Sequence, residues 1–195
     1  MSDGLDLLER KVGTRDPKLF VVAIEGDKTE RRYLEPLRKR YGVEMTILPP
    51  QGHSSPQAVL KKLKDYQASE DWMLGDELWL MVDVDKWHRL PEVCHEAKTA
   101  GYEIAISNPR FELWLWLHLF DYDAEKLPTL KSALSEATKG YYFNDPQQWQ
   151  EYVSEAIRRA KELPGTHLEP VPGVPGTTVY RLMERVVNNK NQNRN

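Results

Sequence analysis

The sequence predicts an α/β fold: a parallel four-stranded sheet flanked by helices, followed by a C-terminal helical extension. Three observations carry that prediction. Strand and helix patterns alternate four times within the first 120 residues, as successive β-α units do. The strand-like segments are continuous apolar runs, the mark of a sheet covered on both faces. After Ala124 the strand patterns stop and helical spacing takes over.

The first run, "KLFVVAI" over 18–24, is rich in Val and Ile and ends at Glu25-Gly26, where glycine permits a tight turn. Residues 28–41 follow with Tyr33, Leu34, Leu37 and Tyr41 at helical spacing. "VEMTILPP" is a second strand stopped by two prolines. "SSPQAVLKKLKDYQ" opens a helix with Ser55 as N-cap and Pro56 at the first helical position. "ELWLMVD" (Glu77 to Asp83) is a third strand, and "RLPEVCHEAKTAG" a helix ended by Gly101. "YEIAIS" makes the fourth strand. Asn108-Pro109 then opens "RFELWLWLHLF", a helix with almost no polar face and therefore a buried one. Further helices fall in 124–140, 145–165 and 177–187, with the irregular "THLEPVPGVPG" between the last two. The pattern divides the chain into an α/β core over 15–122 and a helical extension over 123–187 packed on it. Residues 1–14 and 188–195 read as flexible termini. Trp149, Tyr152 and Tyr180 suit either the extension's core or a partner surface.

Six Trp and nine Tyr argue for a real core rather than disorder. The single cysteine, Cys94, has no partner for an internal disulfide, which fits a reducing compartment, so the cytoplasm is expected. No apolar run reaches the ~20 residues that span a bilayer, so a soluble protein is expected. With 27 basic against 30 acidic residues the net charge is −3, which counts against passive attraction to nucleic acid. An enzyme whose metal supplies positive charge at the site remains compatible. "KTERRYLEPLRKRY" is locally basic and reads either as a solvated helix face or as a phosphate-contacting surface.

In an open parallel sheet, ligands bind outside the carboxyl ends of the strands. Glu25 ends the first strand, and Glu30 follows in the first turn of the next helix. "MVDVD" ends the third strand, and a period of two puts Asp83 and Asp85 on one face. Glu112 starts the apolar helix after the fourth. Carboxylates converging on one edge repel one another. A divalent cation removes the conflict, and Mg²⁺, with Mn²⁺ as a substitute, takes such oxygen ligands. Facing that edge accounts for Glu112 in its apolar helix; a local ion pair with Arg110 is the plainer account. Asp121-x-Asp123 has the same spacing as Asp83-x-Asp85 but reads as a helix-end capping pair.

A strand-terminal Glu-Gly followed by a strand-terminal Asp-x-Asp resembles the Toprim domain, the catalytic module of topoisomerases, bacterial primases and several nucleases. More narrowly, "EGDKTERRYL", "LMVDVD" and "ISNPRFELWLWLHL" resemble the three signature blocks of the RloB-like family. The likeness continues into "PGTTVYRLME"; Arg110 departs from it, standing where a smaller residue such as cysteine is usual. The resemblance implies a Toprim/Rossmann-like core and a Mg²⁺-dependent nuclease of prokaryotic antiphage defence, of the abortive-infection type. It also implies an AAA-type ATPase partner and leaves room for a homodimer. It gives Glu25 proton transfer, gives Asp83 and Asp85 the metal, and adds Glu30 and Glu112 as metal or water ligands. Beside Asp83, Asp85 and Glu112, Glu25 is a further metal-ligand candidate. At the substrate phosphate stand Lys28, Thr29, Lys86 and Asn108, although a capping role suits the first two and solvation suits Lys86 equally.

A haloacid-dehalogenase phosphatase also uses Asp-x-Asp after a strand, but wants it after the first strand with Thr where Trp87 stands. A receiver domain needs paired acids after its first strand and a lysine after a fifth. The non-enzyme alternative is an adaptor or regulatory subunit that binds metal or nucleotide without cutting. His53 and His88 fall in loops, His118 reads as a satisfied core residue, and no zinc-ligand spacing is present.

Overall fold

Five strands form one sheet in the order β2-β1-β3-β4-β5. The computed structural model describes residues 18–50, 52, 55–69, 71–84, 87–139 and 151–192. β1 (Leu19–Ile24) is buried along its whole length and pairs in parallel with β2 (Glu44–Leu48) and β3 (Glu77–Asp83). β3 in turn pairs in parallel with β4 (Glu103–Asn108). Helix α1 (Thr29–Tyr41) links β1 to β2, α2 (Pro56–Gln67) links β2 to β3, and α3 (Leu90–Thr99) links β3 to β4. Then come α4 (Glu112–Leu119), a 3₁₀ turn (Leu127–Thr129), α5 (Leu130–Ala137), α6 (Val153–Glu162) and α7 (Val179–Gln192).

The period of two in β1 sorts its side chains to two cores. Phe20, Val22 and Ile24 face α1 and the C-terminal helices, with Trp79, Met81 and Ala105 beside them. Leu19, Val21 and Ala23 face Val59, Leu60 and Leu63 of α2 and Val93, Cys94 and Ala97 of α3. Both faces are therefore covered, which explains why the strands read as unbroken apolar runs. Local start and stop signals are used as the sequence predicts. Ser55 Oγ accepts from the Ala58 N–H at 3.2 Å, and Gly101 follows α3 with φ +80°.

The expectation of four strands misses one. β5 (Gly176–Thr177) adds antiparallel to the outer edge of β4, opposite Ser107 and Asn108. Two residues inside "THLEPVPGVPG-TT" carry no local strand pattern; what forms β5 is tertiary contact. The Thr178 N–H donates to the Ile106 carbonyl at 2.7 Å, Thr178 Oγ1 accepts from the Ile106 N–H at 2.9 Å, and the Ser107 and Thr177 hydroxyls pair at 2.9 Å. Glycines make the approach fit: a Cβ on Gly176 would lie 2.7 Å from the Gly165 carbonyl carbon. β5 thereby covers an edge that would otherwise be open to pairing.

Asn108 stays in β4 rather than opening the next helix, which starts at Glu112. α4 is apolar all round because it is enclosed, with α5, α6, β4 and β5 packed against it. Its buried imidazole, His118, is satisfied. Nδ1–H donates to the Trp114 carbonyl at 3.0 Å, which leaves Nε2 to accept the Tyr33 hydroxyl at 3.1 Å. Burial holds the His118 pKa down at about 4, so the ring is neutral. Arg159 of α6 closes the helix by donating to the Leu117 and His118 carbonyls at 2.9 and 3.1 Å, where a cation favours the helix dipole. Tyr180 belongs to the core, Tyr152 is exposed, and Trp149 lies outside the described residues. Asp121 pairs with Arg159 at 2.7 Å and Asp123 caps the Glu125 N–H at 2.9 Å, so this second Asp-x-Asp is structural.

Candidate carboxylate site

The strand order creates the site. From β1 the chain moves to β2 on one side, then crosses back to β3 on the other, so the boundary between β1 and β3 is the topological switch point. Glu25 directly follows β1 and Asp83 ends β3. Glu25 is fixed there by two donors: the Asp83 backbone N–H reaches Oε2 at 3.2 Å and the Trp87 indole N–H reaches Oε1 at 3.1 Å. Its own N–H donates to the Met81 carbonyl at 3.1 Å, tying the strand end to β3.

Asp83 sits among carboxylates. Burial first, then repulsion from Glu30, Glu112 and Glu25, pushes its pKa well above the ordinary 3.8. The opposing influence is the Phe111 backbone N–H at the start of α4, a helix end that favours negative charge. Glu30 is raised as well, by burial and then by Glu112 and Glu25, while its own N–H and that of Gly26 lower it. Gly26 is required for this approach rather than for a left-handed turn: a Cβ there would lie 2.3 Å from Glu30 Oε2.

Four of the five predicted acids, Glu25, Glu30, Asp83 and Glu112, thus gather at one edge. Asp85 lies outside the described residues. Among the described residues no ion pair joins Arg110 to Glu112, so the plainer account of that carboxylate is not the one adopted. Nor do any three His, Cys, Asp or Glu groups among them stand close enough to hold an ion as they are. In type and charge the oxygens nevertheless suit a hard divalent cation, and their mutual repulsion is what such a cation would relieve.

The predicted phosphate residues are placed unevenly. Lys28 is exposed at the N-cap of α1 and Thr29 is its first residue, and neither side chain caps the helix. Asn108 is buried, its amide donating to the Pro172 carbonyl at 2.7 Å, so it braces the 166–176 loop. Lys86 lies outside the described residues, as does His53. Beside the acids opens a cleft of about 250 Å³ lined by Asp83, Pro109, Arg110, Glu112 and Lys131. Trp87 and Lys131 were not anticipated as site residues. An aromatic with a single donor directly after the acid-bearing strand was the available signal for Trp87; nothing local marks Lys131.

Comparison with known proteins bears on this geometry. The model of the family described as RloB-like protein matches residues 20–186. The chain belongs to the RloB-like family. The match runs from β1 through α7 and so takes in β5 and the glycine-lined loop as well as the acid-bearing strand ends. No curated protein and no solved structure is matched by this RloB-like chain. No described helix is long and apolar enough to cross a membrane.

Proposed function

We propose that this chain is a Toprim-type nuclease that cleaves phosphodiester bonds of DNA or RNA with Mg²⁺, or Mn²⁺ in its place. The observation that carries the reading is Asp83, at the switch point of the sheet, raised in pKa by burial and then by three neighbouring carboxylates. A bound divalent cation would supply charge stabilisation on the phosphate and an activated water. Asp83 and Glu112, with Asp85, would hold it. Glu25, kept in place by the Asp83 N–H and the Trp87 indole, is oriented to take or return a proton at the edge. Glu30, tethered to the Gly26 N–H, would steady a water. The family resemblance extends the proposal to antiphage defence beside an AAA-type ATPase.

The test is incubation of purified protein with labelled RNA and DNA in Mg²⁺, Mn²⁺ or EDTA. Metal-dependent cutting is expected, reduced at least ~10²-fold by Glu25→Gln and Asp83→Asn. The second reading is an adaptor that binds metal or nucleotide without cutting. Folded protein that binds the cation yet never cuts, even with the ATPase added, would establish it.

A further inference from the structure

We infer that Arg110 and Lys131, with the hydroxyls of Ser132 and Ser135, form a groove that grips the phosphate backbone of a single nucleic acid strand and leads it to the acidic cleft. This rests on the nuclease reading and names how its substrate is held. The cleft at Asp83 and Glu112 is walled on one side by Pro109, Arg110 and Lys131. A second cleft, of about 500 Å³, is lined by Arg110, Pro128, Thr129, Lys131, Ser132 and Ser135. Arg110 and Lys131 line both, so the two clefts adjoin along a shared wall. α5 presents its part of the wall by helical spacing, with Lys131 and Ser135 four apart and Ser132 and Ser135 three apart.

The charge on this wall is unspent. Arg31, Arg158, Arg159, Lys161, Arg181 and Arg185 each meet a carboxylate. Among the described residues neither Arg110 nor Lys131 does, although Glu112 is two residues from Arg110. Two exposed cations on one groove make a local anion-attracting strip on a chain whose net charge is −3. The lining also sets what is recognised. Among the described residues it contains cations, hydroxyls and prolines and no aromatic face, so they suit phosphate and sugar contacts rather than base stacking. Its size matches pockets that take small ligands, which suits one strand. Recognition is therefore independent of sequence.

The test is fluorescence anisotropy with labelled oligothymidylate and oligouridylate, in EDTA and in Ca²⁺, over a KCl series. The double variant Arg110→Ala/Lys131→Ala is expected to bind roughly tenfold more weakly at low salt, with a salt slope shallower by about 1.4, that is ~0.7 for each phosphate no longer neutralised. Lys131→Arg should bind as the wild type does, and an unchanged melting temperature in the double variant shows that it is folded. The tighter of the two probes names the strand. Wild-type affinity and slope in the double variant overturn the groove, and so does a wild-type protein that binds neither probe. Cutting kinetics separate the two proposals. A raised KM with kcat kept in the double variant supports the groove, and unchanged KM with intact cutting sinks the groove alone. Weakened binding by the double variant, beside a wild type that never cuts in either Mg²⁺ or Mn²⁺, sinks the nuclease reading and keeps the groove.

Discussion

The two ends of β3 hold an acid each, and the chain treats them in opposite ways. At the amino end, Glu77 is met by Lys18 at 3.0 Å, by the Trp79 indole at 3.1 Å and by Arg185 at 3.8 Å. At the carboxyl end of this seven-residue strand, Asp83 is met by Glu30, Glu112 and Glu25, with the Phe111 N–H in opposition. The first acid is compensated and helps join β3 to the start of β1 and to α7. The second is left under repulsion that the fold must tolerate. Stability alone would not select that arrangement; residues that violate local electrostatic sense are where function is expected.

The largest effect that sharpens this contrast is the response to a divalent cation. At about 100 times its Kd, a ligand that binds only the folded state adds roughly 2.7 kcal/mol. For a chain of this size that is a rise in Tm of about 5–10 °C. Calorimetry with Mn²⁺ should show it for the wild type and for Glu77→Gln, and not for Asp83→Asn. Equal shifts in all three would place the cation elsewhere and dissolve the contrast.

Next in size are the substitutions themselves in EDTA. Glu77→Gln should cost about 1–2 kcal/mol, less than a fully buried pair would, because the Lys18 and Arg185 side chains are 41% and 57% exposed. Asp83→Asn should instead gain on the order of 1 kcal/mol near neutral pH, since it removes repulsion and can still accept from the Phe111 N–H. Urea titration measures both, and a loss at Asp83 would show that its carboxylate is a structural element like Glu77.

The pH profile comes third and has a sign that can be worked out. Asp83 and Glu30 hold their protons more tightly folded than unfolded. Their contribution is complete below the unfolded values, 3.8 and 4.5, and is lost as pH rises through the raised folded values. Metal-free protein should therefore weaken on the alkaline side, and added cation should flatten that fall. His118 acts in the other direction. Its lowered pKa gives stability that is present above 6.5 and lost as pH falls towards about 4. Subtracting the Asp83→Asn profile from the wild-type one removes the His118 limb, common to both, and leaves Asp83 with the carboxylates coupled to it.

Much of this was legible in the sequence because it is written locally. The apolar runs and the Ser55-Pro56 and Gly101 signals fix β1 to β4 and their helices, and strand-end placement brings Glu25 and Asp83 to one edge. What escaped depends on contacts between distant segments. β5 exists because Thr177 and Thr178 meet Ser107 and Ile106, 70 and 72 residues away. The groove escaped for the same reason, since nothing near Lys131 announces that α5 will stand beside Arg110. Trp87 was visible only as a residue that spoils a phosphatase motif; its hydrogen bond to Glu25 needed the sheet.

The smallest effect is the most discriminating, because stability barely registers it. A Cβ on Gly26 would meet the Glu30 carboxylate, the far end of a flexible side chain, at 2.3–2.6 Å. Glu30 can swing away, so Gly26→Ala should change stability by no more than about 0.5 kcal/mol. Yet it moves one of the carboxylates that repel Asp83 and breaks the tether to the Gly26 N–H. If the carboxyl end of β3 is built to hold charge for use, this change should weaken the Mn²⁺-induced rise in Tm and soften the alkaline fall, while leaving the Glu77 end untouched. A Gly26→Ala protein with the full cation response would mean that Glu30 is a bystander and that the working acids are those on the strand ends and α4.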